Sequence, residues 1–352
     1  MAKSLKMFSL VLLSVFFTTT SAQNLSSLIQ LNGDGTLRYI ADEGGNTVPD
    51  FSWVGYRDGE VEIPDVAVVR TISPVSGDNR SHIQSAIDEV AALQLGSDGF
   101  RGALLLSSGE YSISGRINIT ASGVVIRGDG YGNNGTILIA TAQEKHDLIR
   151  FNGPGGPSTQ SASTVNITDS YVPVGARTFN VQSGHSFQVG DRVMLQKRPN
   201  QAWVELLGMH TLEDEDASTS NWTPGGYIMN YRRRVVEVNG NSITIDASVV
   251  DQIDEQYGEG RLIRFTWNNG IENVGIENIR LVSEYQSSTD EDHGWNGVVF
   301  NNTEHGWVRN VETRHFGYSS VTVNGSSSNI SINRLQASGS GCKGHGRKDV
   351  FL

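Results

Sequence analysis

The chain has 352 residues, with 27 Lys and Arg against 38 Asp and Glu, a net charge of −11. That acidity argues against nucleic acid as a partner, because phosphate contacts need a basic face. The single cysteine, Cys342, excludes an internal disulfide, and 40 glycines against 8 prolines suit many short strands joined by tight turns.

Lys3 and Lys6 precede an apolar run, Met7 to Phe17, and Thr20 and Ala22 are small residues ahead of a cut. This pattern predicts a secretory signal peptide over residues 1–22 and export outside the cell or into the periplasm. The run is too short to cross a bilayer, and no later stretch reaches the roughly 18 apolar residues a membrane helix needs. No membrane association is expected. An extended segment, 23–77, follows.

"SGDNRSHIQSAIDEVAAL" predicts a helix over Asp78 to Leu93, with Asp78 or Asn79 as N-cap and Ile83, Ala86, Ile87 and Val90 on one face. Short apolar runs come next: Ala103–Leu106, Tyr111–Ile113, Ile117–Ile119 and Val124–Ile126. They are too short for a sandwich, and their turns are too small for helical crossovers. A coiled parallel sheet suits them, with the helix ahead of the first coil as a cap. The capping helix and first coils occupy 78–159.

Residues 160–264 have a different texture, with period-two strands and a hairpin candidate turning at Asn239-Gly240. They are expected to form a small β subdomain inserted into the solenoid. Gln201 to Tyr227 reads as a long loop within it, holding Trp203, Trp222 and the acidic run Glu213 to Asp216.

Coils resume over 265–340. "VGIENIRL", "GWVRNVET" and "NISINRLQ" place Ile276, Val308 and Ile332 in one column and Ile279, Val311 and Leu335 in another. Val299 is expected to match Val323. The first step is longer than the second, and the excess falls on "STDEDHGW", which therefore reads as a loop inserted between two strands of one coil. The tail, 341–352, has no strand periodicity and departs from a solenoid, so a truncated chain is expected.

The order "DFSWVGYRDGEVEIPDV", "GDNRSHIQSAIDEV", "SSGEYSISGRINITASGVVIRGDG" resembles the right-handed parallel β-helix proteins of the pectate-lyase-like superfamily, over roughly residues 48–340. The resemblance implies an all-β fold: a right-handed parallel β-helix with an N-terminal capping helix and the inserted subdomain. It also implies a polysaccharide partner lying along the solenoid. The superfamily holds lyases, hydrolases, epimerases and non-catalytic adhesins, so the fold does not choose the chemistry.

Three groups of residues are candidates for that chemistry. Asp290 and Asp292 suit a hard cation such as Ca²⁺, and Trp295 and His293 suit a sugar ring. Glu312, Arg314, His315 and Tyr318 lie one coil later. Arg314 or His315 would take the proton α to a uronate carboxylate, with Tyr318 as proton donor. Arg232 and Arg233, in "YRRRVVE", could grip acidic groups, although exposed strand charge paired with Glu213–Asp216 is the plainer reading. Three functions stay open: a lyase cleaving an acidic glycan by β-elimination; a glycoside hydrolase using Asp290 or Asp292 with Glu312; and a non-catalytic carbohydrate-binding or adhesion solenoid, or an inactive fragment. A monomer is expected.

Overall fold

A computed structural model describes residues 26–212, 220–287 and 289–339. The expected signal peptide, the acidic run at 213–216 and the tail at 341–352 lie outside the described residues. An antiparallel pair, β1 (Ile29–Leu31) and β2 (Leu37–Tyr39), opens the chain. The solenoid starts at β3 (Val68–Ile72), before the helix, and β3 forms one edge of the main sheet. Helix α1 (Arg80–Ala91) is shorter than expected. Asn79 turns its side chain back to Val75 and Gly77, while Asp78 Oδ1 accepts from the Arg80 amide. Ile83, Ala86, Ile87 and Val90 are all buried in the solenoid core, as the helical spacing predicts.

Two full coils follow. The first is β4 (Gly102–Leu106), β5 (Gly109–Ile113) and β6 (Ile117–Ile119). The second is β7 (Val124–Gly128), β8 (Thr136–Ala140) and β9 (His146–Asn152). Each strand pairs in parallel with its counterpart one coil on: β4 with β7, β5 with β8, β6 with β9.

The chain then leaves the solenoid. Strands β10 (Pro157–Thr159), β11 (Val165–Asn166), β12 (Tyr171–Val172), β13 (Thr178–Asn180) and β14 (Arg192–Pro199) precede a short helix, α2 (Gln201–Leu206). Strands β15 (Met229–Asn239), β16 (Ser242–Ile245), β17 (Ile253–Asp254) and β18 (Gly258–Trp267) complete the excursion. Their pairing is antiparallel, in the order β10-β18-β14-β15-β16-β13, around a separate apolar cluster that includes Phe179, Val193, Leu195 and Ile243. The β15–β16 hairpin turns at Gly240-Asn241, one residue later than the sequence suggested, because Asn239 still pairs with Ser242 and Gly240 takes the left-handed position (φ 59°).

Coils resume with β19 (Ile271–Ser283) and β20 (Gly294–Asn301), then β21 (Thr303–Arg314) and β22 (Ser319–Val323), then β23 (Ser328–Ser338). β19 pairs with β7 through its first half and with β8 through its second, so one long strand turns a corner. The corner residues stack: Asn278, Asn310 and Arg334 all have φ near +55° (56°, 54° and 57°). Asn310 Nδ2 donates to Asn278 Oδ1 across the rung at 3.0 Å, which helps to hold the left-handed backbone that asparagine tolerates.

The core is a set of columns. Leu104, Ile126, Ile276, Val308 and Ile332 are successive register partners, the first four fully buried. Ile279, Val311 and Leu335 align likewise. Phe151 and Phe300 stack 4.9 Å apart, nearly parallel. Burying each such side chain stabilises by roughly 1.5–3 kcal/mol. One expected alignment is wrong: Val299 pairs with Thr322, and Val323 pairs with Phe300. The arc from β20 to β22 is one residue shorter than the arc from β21 to β23, so a single step length does not serve both faces.

Candidate functional site

Residues 289–293 of the "STDEDHGW" stretch lie between β19 and β20 of one coil, as expected, and Gly294 and Trp295 open β20. In the next coil only residues 315–318 connect β21 to β22. These two connections lie one above the other and form the candidate site.

Asp290 folds the longer connection on itself. Its Oδ2 accepts from the Gln286 amide and its Oδ1 from the Asp292 amide, both at 2.9 Å, and these bonds hold its carboxyl below the usual carboxylate range. Asp292 is exposed. Glu291 pairs with Lys145 at 2.9 Å, and the Lys145 ammonium sits 4.4 Å from the Trp295 ring centroid. Trp295 stacks on Tyr318, centroids 6.0 Å apart and 12° between planes. A Cβ on Gly317 would lie 2.6 Å from the Trp295 indole, so only glycine lets the shorter connection pass beneath the ring. Tyr318 is 40% exposed.

His293 points inward. It is buried and shares a 2.8 Å hydrogen bond through Nδ1 with Ser283 Oγ. Burial lowers its pKa, against the opposing pull of Asp290. Tyr285 links it to His315: the ring centroids are 5.9 Å from Tyr285 to His293 and 5.2 Å from Tyr285 to His315. His315 has a left-handed backbone (φ 63°), and its Nδ1 lies 3.1 Å from the Gly339 carbonyl. A carbonyl only accepts, so Nδ1 carries a proton, and in the neutral ring the lone pair is on Nε2. A cavity of about 340 Å³ lies beside these groups, lined by Gln143, Tyr285, Gln286, Asp290 and His315 among others.

Glu312 is buried on β21. Its Oε2 accepts from Arg280 Nε at 2.7 Å and its Oε1 from Arg314 Nε at 2.6 Å. Burial raises this carboxyl and the two arginine bonds outweigh it, so it sits below its ordinary value and stays ionised. Arg314 remains 38% exposed at its side chain.

Arg232 and Arg233 are elsewhere, on β15 of the inserted sheet. Arg232 donates to the carbonyls of Ser326 and Ser327, and Arg233 to those of Arg232, Ala247 and Ser248. Both guanidiniums tie segments together, and burial lowers both pKa values. The structure thus brings Asp290, His293, His315 and Tyr318 together in two adjacent connections, with Trp295 at the start of β20 and Glu312 and Arg314 at the end of β21, and leaves Arg232 and Arg233 apart. Among the described residues no group of three or more His, Cys, Asp and Glu is placed to hold a metal ion. Each Asp290 oxygen accepts one amide bond, and Asp292 is exposed beside it.

Lys145 and Tyr285 join the candidate site from neighbouring loops and carried no sequence signal. Arg280 joins it from the neighbouring rung, and its signal was the repeat alignment, which places it against Glu312.

Parallel rungs stacked into common apolar columns define a parallel β-helix, the fold that the resemblance implied. No family model matches the sequence, and no curated protein does. Among solved structures, the chain is similar to the gp54 tailspike of Acinetobacter baumannii bacteriophage AP22, solved in complex with A. baumannii capsular saccharide, at 13% identity and a TM-score of 0.35 over 71% of this chain and 34% of that one. It is similar to the gp49 tailspike of Pseudomonas phage LKA1, at 16% identity and a TM-score of 0.33 over 73% and 44%. Polygalacturonase from Erwinia carotovora matches at 13% identity and a TM-score of 0.21 over 80% and 65%. The chain spans less than half the length of these tailspikes.

Proposed function

We propose that the protein is a secreted, monomeric, right-handed β-helix with α1 as its cap, and that it binds an acidic polysaccharide at the β19–β20 and β21–β22 connections and cleaves it by β-elimination. The observation that carries the reading is His315: Nδ1 is committed to the Gly339 carbonyl, so Nε2 is the available base beside an open cavity. His315 Nε2 removes the proton α to the uronate carboxylate. Arg314, fixed by Glu312, stabilises the charge that develops on that carboxylate. Electrons shift to form the ring double bond, the glycosidic C–O bond breaks, and Tyr318 protonates the departing oxygen. Trp295 and Tyr318 offer aromatic surface to a neighbouring ring, with Lys145 supplying positive charge. No step is routed through a cation.

The hydrolytic alternative needs one carboxylic acid that is protonated near neutrality. Glu312 and Asp290 are both held below their ordinary values, so neither is suited to be that acid. The test is incubation with polygalacturonate, alginate and hyaluronan. Ultraviolet absorbance of an unsaturated uronate should appear with at least one of them. New reducing ends without that absorbance would mean hydrolysis, and neither signal with any of the three would overturn the lyase reading.

A further inference from the structure

A second cleft lies where the inserted sheet, the N-terminal segment and the first residues of β19, β21 and β23 meet, at the opposite end of β21 from His315. Its cavity is about 360 Å³, inside the range of roughly 300–1,000 Å³ typical of small-ligand sites. A neighbouring cavity of about 510 Å³ shares Arg192, Phe265, Glu272 and Glu304 with it, so the cleft is elongated.

The turn that closes it is unusual. Arg57 and Asp58 are consecutive non-glycine residues with left-handed backbone, φ 50° and 59°. Such conformations persist only where surrounding contacts impose them, and they cluster at ligand-binding sites. Here Tyr56 N donates to Ser331 Oγ at 2.8 Å, Arg57 N to His305 Nδ1 at 3.3 Å, and Asn329 to Asp58. The turn leaves Trp53 at the rim, 42% exposed, with no ring partner among the described residues. Because His305 Nδ1 accepts, its proton sits on Nε2, and His305 lines the cleft. Glu272 is exposed and is the register partner of Glu304, whose carboxylate is taken up by Arg192 and Ser328.

Five arginines and four carboxylates line this cleft, so it carries almost no net charge. It is therefore poorly suited to a polyanion and well suited to a ligand rich in hydroxyl groups, with an aromatic face for a sugar ring. We propose that this cleft is a second saccharide-binding site, taking a neutral oligosaccharide segment, with Trp53 stacking on a ring and Glu272 and His305 hydrogen-bonding its hydroxyls. The inference does not depend on the elimination chemistry at His315.

The test uses the full chain and a pool of linear glucose, galactose and mannose hexasaccharides, read by saturation-transfer NMR. Wild type should bind at least one member. Trp53→Ala and Glu272→Gln should each weaken that binding by about tenfold with an unchanged unfolding midpoint, and Trp295→Ala should leave it intact. Should Trp53→Ala fail to fold, Glu272→Gln, an exposed and nearly isosteric change, carries the test. Absence of transfer to every member of the pool, or wild-type affinity in Glu272→Gln, would overturn the site. Failure of the lyase reading would show separately, as no uronate product with neutral-sugar binding preserved.

Discussion

Arg280 Nε lies 2.7 Å from Glu312 Oε2, across adjacent rungs in which the two residues are register partners, and both side chains are less than a tenth exposed. Removing one member of such a pair leaves a buried charge uncompensated. Glu312→Ala should therefore destabilise by about 3 kcal/mol, read as a shift in the urea midpoint. Arg314→Ala, at the more exposed end of the same carboxylate, should cost well under half of that.

The core columns predict a gradient. Ile276 is fully buried between Ile126 and Val308, whereas Ile332 is only partly buried on the last described rung. Ile276→Ala should cost about 2–5 kcal/mol. Ile332→Ala should cost less than half as much in the same urea titration. Equal losses would mean that the column is not continuous.

Gly275 has the Trp307 indole lying directly over its Cα, so a Cβ there would overlap the ring. Trp307 is fully buried and donates from Nε1 to Glu277 at 3.2 Å, so it has nowhere to go. Gly275→Ala should destabilise by about 1–3 kcal/mol, with a changed tryptophan fluorescence spectrum as the signature of the displaced ring.

The site residues separate by readout. His315→Ala should lower the elimination rate by about 10²–10⁴-fold, with folding unaffected. Arg314→Ala should also abolish elimination. Trp295→Ala should act on affinity instead, weakening acidic-glycan binding by about 0.5–1.5 kcal/mol, measured by calorimetry. An unchanged rate in His315→Ala would remove it as the base.

Stability should fall with acid in two stages. His293 and His305 are held below the ordinary 6.5, each chiefly by burial. The unfolded chain therefore takes up protons that the folded chain refuses, and stability declines as pH drops from about 6.5 toward the folded values. Glu312 is held below its ordinary 4.5, so its contribution is complete above that pH and is lost as pH falls through the folded value. Melting temperature against pH should be flatter near pH 6 in His293→Asn and flatter below about pH 4.5 in Glu312→Gln.

What could be read from the residues was repetition. Ile276, Val308 and Ile332 recur at matched places in similar segments, and a solenoid must bury matched positions, so the columns, the helix face and the looped-out 290s stretch were legible in the sequence. The arc lengths were less so: Val299 slips past Val323 because each face of the coil keeps its own count. Tertiary structure alone decided the chemistry of individual side chains. Whether Arg232 binds a ligand or ties down Ser326 and Ser327, and whether Glu312 is an acid or a clamp between two arginines, depends on groups dozens of residues away. A carboxyl's proton affinity follows from the charges and dipoles within a few ångströms of it, and the winding of the chain, not its order, sets which those are.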